Sequence, residues 1–278
     1  MTTAFFRTGT PSDLATMINW AADEGWNPGL DDANPFFASD PDGFFVAEMD
    51  NRSVASISVV NHNADFAFLG FYICHPDYRG QGIGMGLWTH AMAHAGNRTV
   101  GLDGVADQEA NYAKSGFVRT GASMRMAGSL SPQDDARVRR MQDGDLDRLL
   151  MLDAKANGFS RPGFLTSWLA ETQSRRSVVL GDADDITGFA TLRRCREGVK
   201  IGPIVAPTAE DALCLVRAGL ALLPADPVII DVPSENSAFL SALQARGFND
   251  TFATARMYRG APPQRSSLLQ AIATMELG

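Results

Sequence analysis

Three glycines alternate directly after a basic residue, in the segment Arg79-Gly80-Gln81-Gly82-Ile83-Gly84. An apolar run precedes the segment at 66–74, and behind it Leu87, Ala91 and Ala95 recur at helical spacing, which predicts a strand, a turn and a helix. The first N–H groups of such a helix are unpaired and lie at the positive end of its dipole. Glycines let an anion approach these groups, and Arg79 adds a positive charge. The segment therefore favours a pyrophosphate site, although a plain turn packed tightly on a sheet has the same glycines.

Two common phosphate motifs do not fit this segment. A Rossmann fingerprint needs Gly-x-Gly-x-x-Gly and a Walker loop needs Gly-Lys followed by Ser or Thr, and neither spacing is present there. Instead, His75-Pro76-Asp77-Tyr78-Arg79-Gly80-Gln81-Gly82-Ile83-Gly84 resembles the acetyl-CoA loop of the GNAT acetyltransferases, with their pattern Arg/Gln-x-x-Gly-x-Gly/Ala. The later segment Tyr112-Ala113-Lys114-Ser115-Gly116-Phe117 is similar to the Tyr-x-x-x-Gly-Phe that closes the core of that family.

The segments around the loop predict the sheet that holds it. Strand-like runs at 44–49, 54–60 and 66–74 follow one another without a helix, which predicts an antiparallel meander. A strand at 99–103 is expected to run parallel to the run at 66–74 through a right-handed crossover. In the GNAT fold these two strands splay apart, and the resemblance implies that the gap admits the thioester. A short helix with Tyr112 and two strands within 116–126 then complete the unit.

The second half of the chain repeats the first at an offset of 131 residues. Three anchors share this register, namely Pro76 with Pro207, Gly116-Phe117 with Gly247-Phe248, and Arg125-Met126 with Arg256-Met257. The repeat predicts an α/β fold of the α+β type, with two tandem GNAT domains that each have a mixed, mostly antiparallel sheet flanked by helices. We place an acetyl-CoA-binding domain at 1–129 and a degenerate domain at 136–278, with a polar linker between them.

The two halves differ at the position of the glycine loop. At the common offset, the first half has Arg79, Gly80, Gly82 and Gly84 where the second half has Glu210, Asp211, Leu213 and Leu215. Carboxylates suit the first turn of a helix but repel a phosphate. We therefore predict that the second domain does not bind CoA.

The segment 159–169 occupies the place in the second half that the loop around Trp26 occupies in the first. We expect Phe164, Trp168 and Leu169 to belong to a helix core and Arg161 to be solvated. The alternative is that this segment reaches toward the active site of the first half.

The resemblance also implies a set of residues at the acetyl-CoA site. The expected binding residues are Tyr72, Ile73, Cys74, Arg79, Gly80, Gln81, Gly82, Ile83 and Gly84. A backbone N–H of Ile73 or a neighbour would meet the thioester oxygen. Tyr112 resembles the general acid of the family, because a phenol can protonate the departing thiolate. An aromatic side chain packed in the core is the alternative reading of Tyr112.

The general base is less determined. The fourth strand is apolar from Phe68 to Cys74 and supplies no carboxylate. Glu24 and Asp103 are the main candidates, with Asp65 behind them, and a water chain is the alternative. In the family the connection after the first helix overlies the acceptor pocket, which makes Trp26 and Asn27 candidate acceptor-binding residues, although Trp26 could also plug an edge of the core.

Composition limits the partners. The net charge of −8 and pI near 5.0 disfavour nucleic acid and anionic membranes as partners. The three cysteines, Cys74, Cys195 and Cys214, have neither disulfide nor zinc spacing, so we expect buried thiols and no metal. The N-terminal residues do not resemble a signal peptide and no long apolar run occurs, so a cytoplasmic location is expected by default. A monomer or homodimer is expected.

These features favour an acetyl-CoA-dependent N-acetyltransferase that acts on the amine of a small molecule by direct attack on the thioester. The second domain would wall the acceptor pocket. Two alternatives stay open: a non-catalytic CoA-binding regulatory module, and an acyltransferase that uses another acyl-CoA.

Overall fold

The computed structural model describes residues 4–182 and 185–278. The strands are β1 (Phe5–Thr8), β2 (Phe44–Met49), β3 (Arg52–Asn61), β4 (Phe66–Cys74), β5 (Thr99–Gly104), β6 (Val118–Gly128), β7 (Val138–Arg140), β8 (Arg175–Leu180), β9 (Gly188–Arg194), β10 (Val199–Val205), β11 (Val228–Pro233), β12 (Asn249–Arg259) and β13 (Leu269–Ala271). The helices are α1 (Pro11–Asp23), α2 (Ala33–Ser39), α3 (Ile83–Met92), α4 (Glu109–Lys114), α5 (Leu146–Asn157), α6 (Pro162–Leu169), α7 (Ala209–Leu222) and α8 (Ser237–Gln244).

Local sequence signals explain where α1 begins and which side it buries. Thr10 accepts a hydrogen bond from the backbone N–H of Asp13 at 3.3 Å, and the Asp13 carboxylate accepts one from the N–H of Thr10 at 2.8 Å. This reciprocal cap satisfies two helix-end donors. Leu14, Met17 and Ala21 lie on the buried side, as their helical spacing requires.

The described strands form one sheet in the order β1-β2-β3-β4-β5-β12-β6-β11-β10-β9-β8-β7, with β13 beside β10. The predicted antiparallel meander is confirmed for β2, β3 and β4, and the predicted parallel pair is confirmed for β4 and β5. The fold is therefore mixed α/β with a mostly antiparallel sheet flanked by helices.

Each half inserts its last long strand among the strands of the other half. β12 of the second half lies between β5 and β6, while β6 of the first half lies between β12 and β11. The prediction of two short strands within 116–126 is wrong, because this stretch forms the single strand β6. Its partners are both strands of the second half, so its length is set by pairing partners more than 100 residues away in sequence.

Two buried ion pairs tie the exchanged strands to their new neighbours. The Arg256 Nε of β12 lies 2.9 Å from Asp103 on β5, and the Arg125 Nε of β6 lies 2.8 Å from Asp231 on β11. Each arginine lies directly opposite its aspartate in the strand register. Arg125 and Arg256 are one of the anchor pairs of the sequence repeat, so the two contacts are equivalent in the two halves.

Helix α6 corrects one expectation and confirms another. Phe164, Trp168 and Leu169 are buried, as predicted. The prediction of a solvated Arg161 is wrong, because its side chain is buried and its Nε lies 2.8 Å from the carboxylate of Asp153. A buried guanidinium needs such a partner, and Asp153 is supplied by the neighbouring helix α5.

The thiol prediction holds for one of the three cysteines. Cys195 is buried, whereas Cys74 and Cys214 are partly exposed. Among the helices in the described parts of the chain, none has the length and apolar character to cross a membrane.

Candidate active site

The glycine loop places the start of α3 at an open cleft. Gly82 is the N-cap of α3 with φ 77°, and Gly80 has φ 75°, a left-handed conformation that favours glycine. Among the residues that the structure describes, no side chain caps this helix terminus. The first backbone N–H groups of α3 are therefore free to meet an anion.

Arg79 lies at the mouth of the same cleft. Its Nε donates to the carbonyl of Cys74 at 2.8 Å, and its terminal nitrogen lies 3.0 Å from a carboxylate oxygen of Glu24. Both charged side chains are exposed. The structure thus brings Glu24, a predicted general base, to the outer mouth of the site as the partner of Arg79.

The cleft, which we call the outer cavity, encloses about 1200 Å³ of space not filled by atoms. Eight of the nine predicted acetyl-CoA residues line it, namely Tyr72, Ile73, Cys74, Arg79, Gly80, Gly82, Ile83 and Gly84. Gln81 is not among the lining residues, and its side chain amide donates to the carbonyl of Asp77 at 3.0 Å.

A second space, the inner cavity, continues from the outer one into the protein. It encloses about 600 Å³ of space not filled by atoms, and the two cavities share Trp26, Tyr72, Val105 and Gln108 as lining residues. The route between the cavities lies where β4 and β5 separate.

The gap between β4 and β5 explains this route. Their pairing begins at Phe66 and Thr99 and ends at Leu69 and Leu102, although β4 continues to Cys74. Strand β4 also bulges: its register with β3 shifts, Phe71 has φ 48°, and the hydroxyl of Ser56 donates to the Phe71 carbonyl at 2.8 Å. The bulge turns part of the β4 backbone away from regular ladder pairing.

The inner cavity reaches both faces of the sheet through this gap. Leu69, Leu102 and Tyr112 line it and belong to the apolar cluster around α3. Phe71 and Met275 line it and belong to the cluster on the opposite face. The two cavities together therefore form a route from the cleft at α3 to the opposite face of the sheet.

Tyr112 is buried beside α3. Its ring stacks on Trp88 with centroids 5.8 Å apart, and Gly104 makes room for it, since a Cβ there would come within 2.5 Å of the ring. Burial raises the pKa of Tyr112 to about 12. Burial therefore favours the neutral phenol, the form that can donate a proton.

Asp103 lines the inner cavity but has its carboxylate occupied. Beyond the pair with Arg256, Asp103 accepts a hydrogen bond from the Ser123 hydroxyl at 3.0 Å, and its side chain is fully buried. Both carboxylate oxygens are thus already engaged by neighbouring side chains. We therefore assign Asp103 no part in the proton transfers.

The loop after α1 separates the two predicted acceptor residues. Trp26 lines both cavities, and its carbonyl accepts from Lys200 at 2.7 Å and from Arg125 at 3.1 Å. Asn27 lines neither, and its side chain amide instead donates to the carbonyl of Glu197 at 2.9 Å. The loop is thus held by the second half, and Asn27 serves as an anchor of that contact.

Sequence reasoning missed the part of the inner cavity that comes from the second half. These lining residues are Phe252, Thr254, Met275 and Glu276, together with Arg125 on the exchanged strand β6. Their distance from the glycine loop in sequence hides them. Glu276 offered one signal, because it is a single acid in the otherwise uncharged stretch 266–278.

Family models match both halves of the chain. The model described as acetyltransferase (GNAT) family matches residues 12–117, and the model described as acetyltransferase (GNAT) domain matches residues 149–271. With the tandem fold described above, these matches identify the chain as a member of the GNAT acyltransferase family that carries two GNAT domains.

Individual relatives agree with this membership. The chain is 37% identical over 265 residues to the holothin acyltransferase of Pseudoalteromonas sp. (strain SANK 73390), covering 93% of this chain and 89% of that protein. A putative acetyltransferase from Pyrococcus horikoshii shares the fold with a TM-score of 0.83 at 20% identity, covering 99% and 96% of the two chains. A tandem GNAT protein from the clavulanic acid biosynthesis pathway shares it with a TM-score of 0.64 at 17% identity, covering 95% and 100%.

Proposed function

We propose that this protein transfers the acetyl group of acetyl-CoA to the amine of a small molecule, by direct attack on the thioester. One observation carries the proposal: the uncapped start of α3 opens into a cleft that continues through the β4–β5 gap to a cavity lined by both halves. Phosphate binding, thioester placement and acceptor access are then arranged along one route.

The residues of the chain would divide the chemistry between the two faces of the sheet. The backbone N–H groups at Gly82 to Gly84 and the guanidinium of Arg79 would hold the pyrophosphate. A backbone N–H near Ile73, next to the bulge of β4, would stabilise the oxygen of the thioester as charge develops on it. As the C–N bond forms and the C–S bond breaks, Tyr112 would donate its proton to the sulfur.

The second half would contribute walls and no second CoA site. Helix α7 takes the place of α3, but Thr208 caps it by accepting from the N–H of Asp211 at 3.1 Å. Glu210 and Asp211 put negative charge in its first turn, where α3 has glycines. Both features disfavour a phosphate there.

The acyl group and the acceptor are the open parts of the proposal. The similar protein from Pseudoalteromonas is a holothin acyltransferase, which supports an acceptor other than a protein and leaves acyl groups longer than acetyl as an alternative. The negative charge of the chain favours a cationic acceptor over an acidic one.

Release of free CoA tests the proposal. The purified chain is incubated with acetyl-, propionyl- or hexanoyl-CoA and with pooled amino acids, polyamines, aminoglycosides and aromatic amines. Acceptor-dependent thiol release that is fastest with acetyl-CoA is the expected result. Faster release with a longer thioester would replace the acetyl group, and tight CoA binding without release from any pool would favour the binding module.

A further inference from the structure

The acidic residue Glu276 lies in the inner cavity, on a segment that follows β13. Its side chain is buried, and its backbone carbonyl packs so closely on Gly70 of β4 that no side chain fits at that glycine. Gly70 adjoins the bulge at Phe71, where β4 departs from β5. Glu276 is thereby held at the edge of the gap through which the thioester would be reached.

The two oxygens of the Glu276 carboxyl group differ in their hydrogen bonds. Oε2 accepts from the hydroxyl of Thr274, whereas Oε1 is buried and has no hydrogen-bond partner in residues 4–182 and 185–278. A buried carboxyl oxygen without a partner is costly and requires an explanation. Of the two acids that line the inner cavity in the described chain, Asp103 is paired and Glu276 keeps an open position.

Charged groups from several elements face Glu276. Lys200 on β10, Arg193 on β9 and Arg125 on β6 are the cations, and Asp32 adds a negative charge. Each cation makes a contact elsewhere: Lys200 with the Trp26 carbonyl at 2.7 Å, Arg125 with Asp231, and Arg193 with Asp32 at 3.1 Å. The buried Nη2 of Arg193 has no hydrogen-bond partner among the described residues. Burial is the largest influence on the Glu276 carboxyl group and raises its pKa, while the three cations act in the opposite direction.

Glu276 and Tyr112 lie on opposite sides of the gap. Tyr112 belongs to the apolar cluster around α3, whereas Met275, next to Glu276, belongs to the cluster on the other face. Direct transfer from a thioester needs a proton donor at the sulfur and a proton acceptor at the amine, on the two sides of the reacting carbonyl.

We propose that Glu276 binds the acceptor amine through Oε1 and takes its proton during acetyl transfer. This inference depends on the proposed acetyltransferase function and names the acceptor class: a compact primary amine with an apolar body, which Trp26, Phe71 and Phe252 can cover. As the nitrogen attacks the carbonyl carbon, the C–N bond forms, the C–S bond breaks, the N–H proton moves to Glu276, and Tyr112 protonates the sulfur. Afterwards Glu276 gives its proton to water and the phenolate of Tyr112 takes a proton from water, so both groups return to their starting states.

Glu276→Gln tests the proposal while keeping the shape of the side chain. Benzylamine, aniline and propylamine serve as probes with acetyl-CoA, and CoA affinity and the melting temperature are measured in parallel. We expect kcat to fall by about 10²–10⁴-fold, with CoA affinity kept. Glu210→Gln, the same change at an exposed site on α7, is the matched control and should leave kcat unchanged.

A pH profile separates a catalytic role from a structural one. Aniline is the informative acceptor, because it is a weak base and stays neutral from mildly acidic to alkaline pH. A fall in kcat/KM as the pH is lowered within that range therefore reports a group of the protein. The wild type should lose activity as the pH falls through the raised pKa of Glu276, and Glu276→Asp should keep this limb at a lower rate. If Glu276→Gln does not fold, the wild-type profile and the Glu276→Asp variant decide the question.

The outcomes distinguish the two proposals. Turnover in Glu276→Gln within threefold of wild type, or a wild-type profile with aniline that is flat toward acid, would overturn the role of Glu276 alone. A wild-type protein that binds CoA but releases no CoA from acetyl-CoA with the pooled acceptors or the three amines would overturn the acetyltransferase function and the role of Glu276 together. Turnover of pooled acceptors without turnover of any of the three amines would overturn the acceptor class alone.

Discussion

In the first half of the molecule, β4 and β5 separate after Leu69 and Leu102, and the space between them belongs to the inner cavity. In the second half, β10 pairs with β11 at Val199 and Lys200. After Lys200 the two strands separate, and the segment around β13 fills the space between them. Strand β13 pairs with β10, and the N–H of Ile272 donates to the Asp231 carbonyl of β11 at 3.0 Å. Both halves thus have the strand gap, and in the described parts of the chain the gap of the first half opens into a cavity while that of the second half is filled.

The same segment that closes one gap borders the other. Ile272 packs its carbonyl against Gly202 on β10, and four residues later Glu276 packs its carbonyl against Gly70 on β4. The two glycines occupy corresponding places near the bulges of the two strands. The second half, whose own strand gap is filled, thus contributes walls to the inner cavity of the first half.

The largest effect is expected at the two equivalent buried ion pairs, Arg125 with Asp231 and Arg256 with Asp103. Arg256→Met leaves Asp103 buried without its cation, and we expect the free energy of unfolding to fall by about 3–5 kcal/mol. Arg125→Met should cost a similar amount through Asp231. Urea unfolding measures both.

Arg119→Met is the control, because its pair with Glu109 is exposed and should be worth less than about 1 kcal/mol. Losses at Arg256 no greater than at Arg119 would show that the exchanged strands do not depend on these contacts.

Tyr112→Phe tests the proposed proton donor to the thioester sulfur in the first half. Removing the phenol should lower kcat by about 10²-fold while the CoA affinity stays the same. Because the pKa of Tyr112 is raised to about 12, the wild-type rate should not fall in the alkaline range near the ordinary phenol value of about 10. Steady-state kinetics across pH gives both readouts.

Tyr258→Phe serves as its control, since that hydroxyl accepts from Arg265 at 3.0 Å and takes no part in the proposed reaction. Equal losses of kcat in the two variants would contradict the assignment of Tyr112.

Gly82→Leu gives the glycine loop before α3 the residue type that the second half has at the corresponding position, Leu213. We expect CoA affinity to fall at least about tenfold, because a side chain at the N-cap of α3 obstructs its N–H groups. Gly247→Leu is a matched control: Gly247 also has a left-handed backbone, with φ 86°, and in the described residues nothing lies within 4 Å of a Cβ at either glycine.

Both variants should therefore lose similar stability, and only Gly82→Leu should lose CoA binding in calorimetry. The wild type should bind one CoA per chain. A stoichiometry of two would contradict the proposal that the second half has no CoA site.

The smallest effect is expected at the capped helix of the second half. Thr208→Ala removes the cap of α7 and should cost about 1 kcal/mol of stability, as should Thr10→Ala at α1. Neither change should alter CoA affinity. Improved CoA binding by Thr208→Ala, detected by calorimetry, would mean that the cap and not the filled gap keeps CoA out of the second half.

Much of the first half was predictable from local patterns. The meander, the parallel fifth strand and the capped start of α1 follow from apolar runs and capping residues, which act over a few positions. Placement at the cavities was less uniform: Tyr72, Trp26 and Asp103 line them, whereas Asn27 does not. The side chains of Asn27 and Asp103 are both engaged with the second half. Neither partner of these two residues, Glu197 or Arg256, can be inferred from spacing.

The sequence by itself determined the strand–loop–helix order around Gly82, the repeat, and the chemical inequality of the two loops, because each depends on residue types at short or constant spacing. The tertiary structure decided which strands are neighbours. A long strand such as β6 can pair with any complementary edge, and the choice of β12 and β11 depends on contacts such as that of Arg125 with Asp231. That choice, together with the path of the segment after β13, decided that Glu276 lies in the inner cavity.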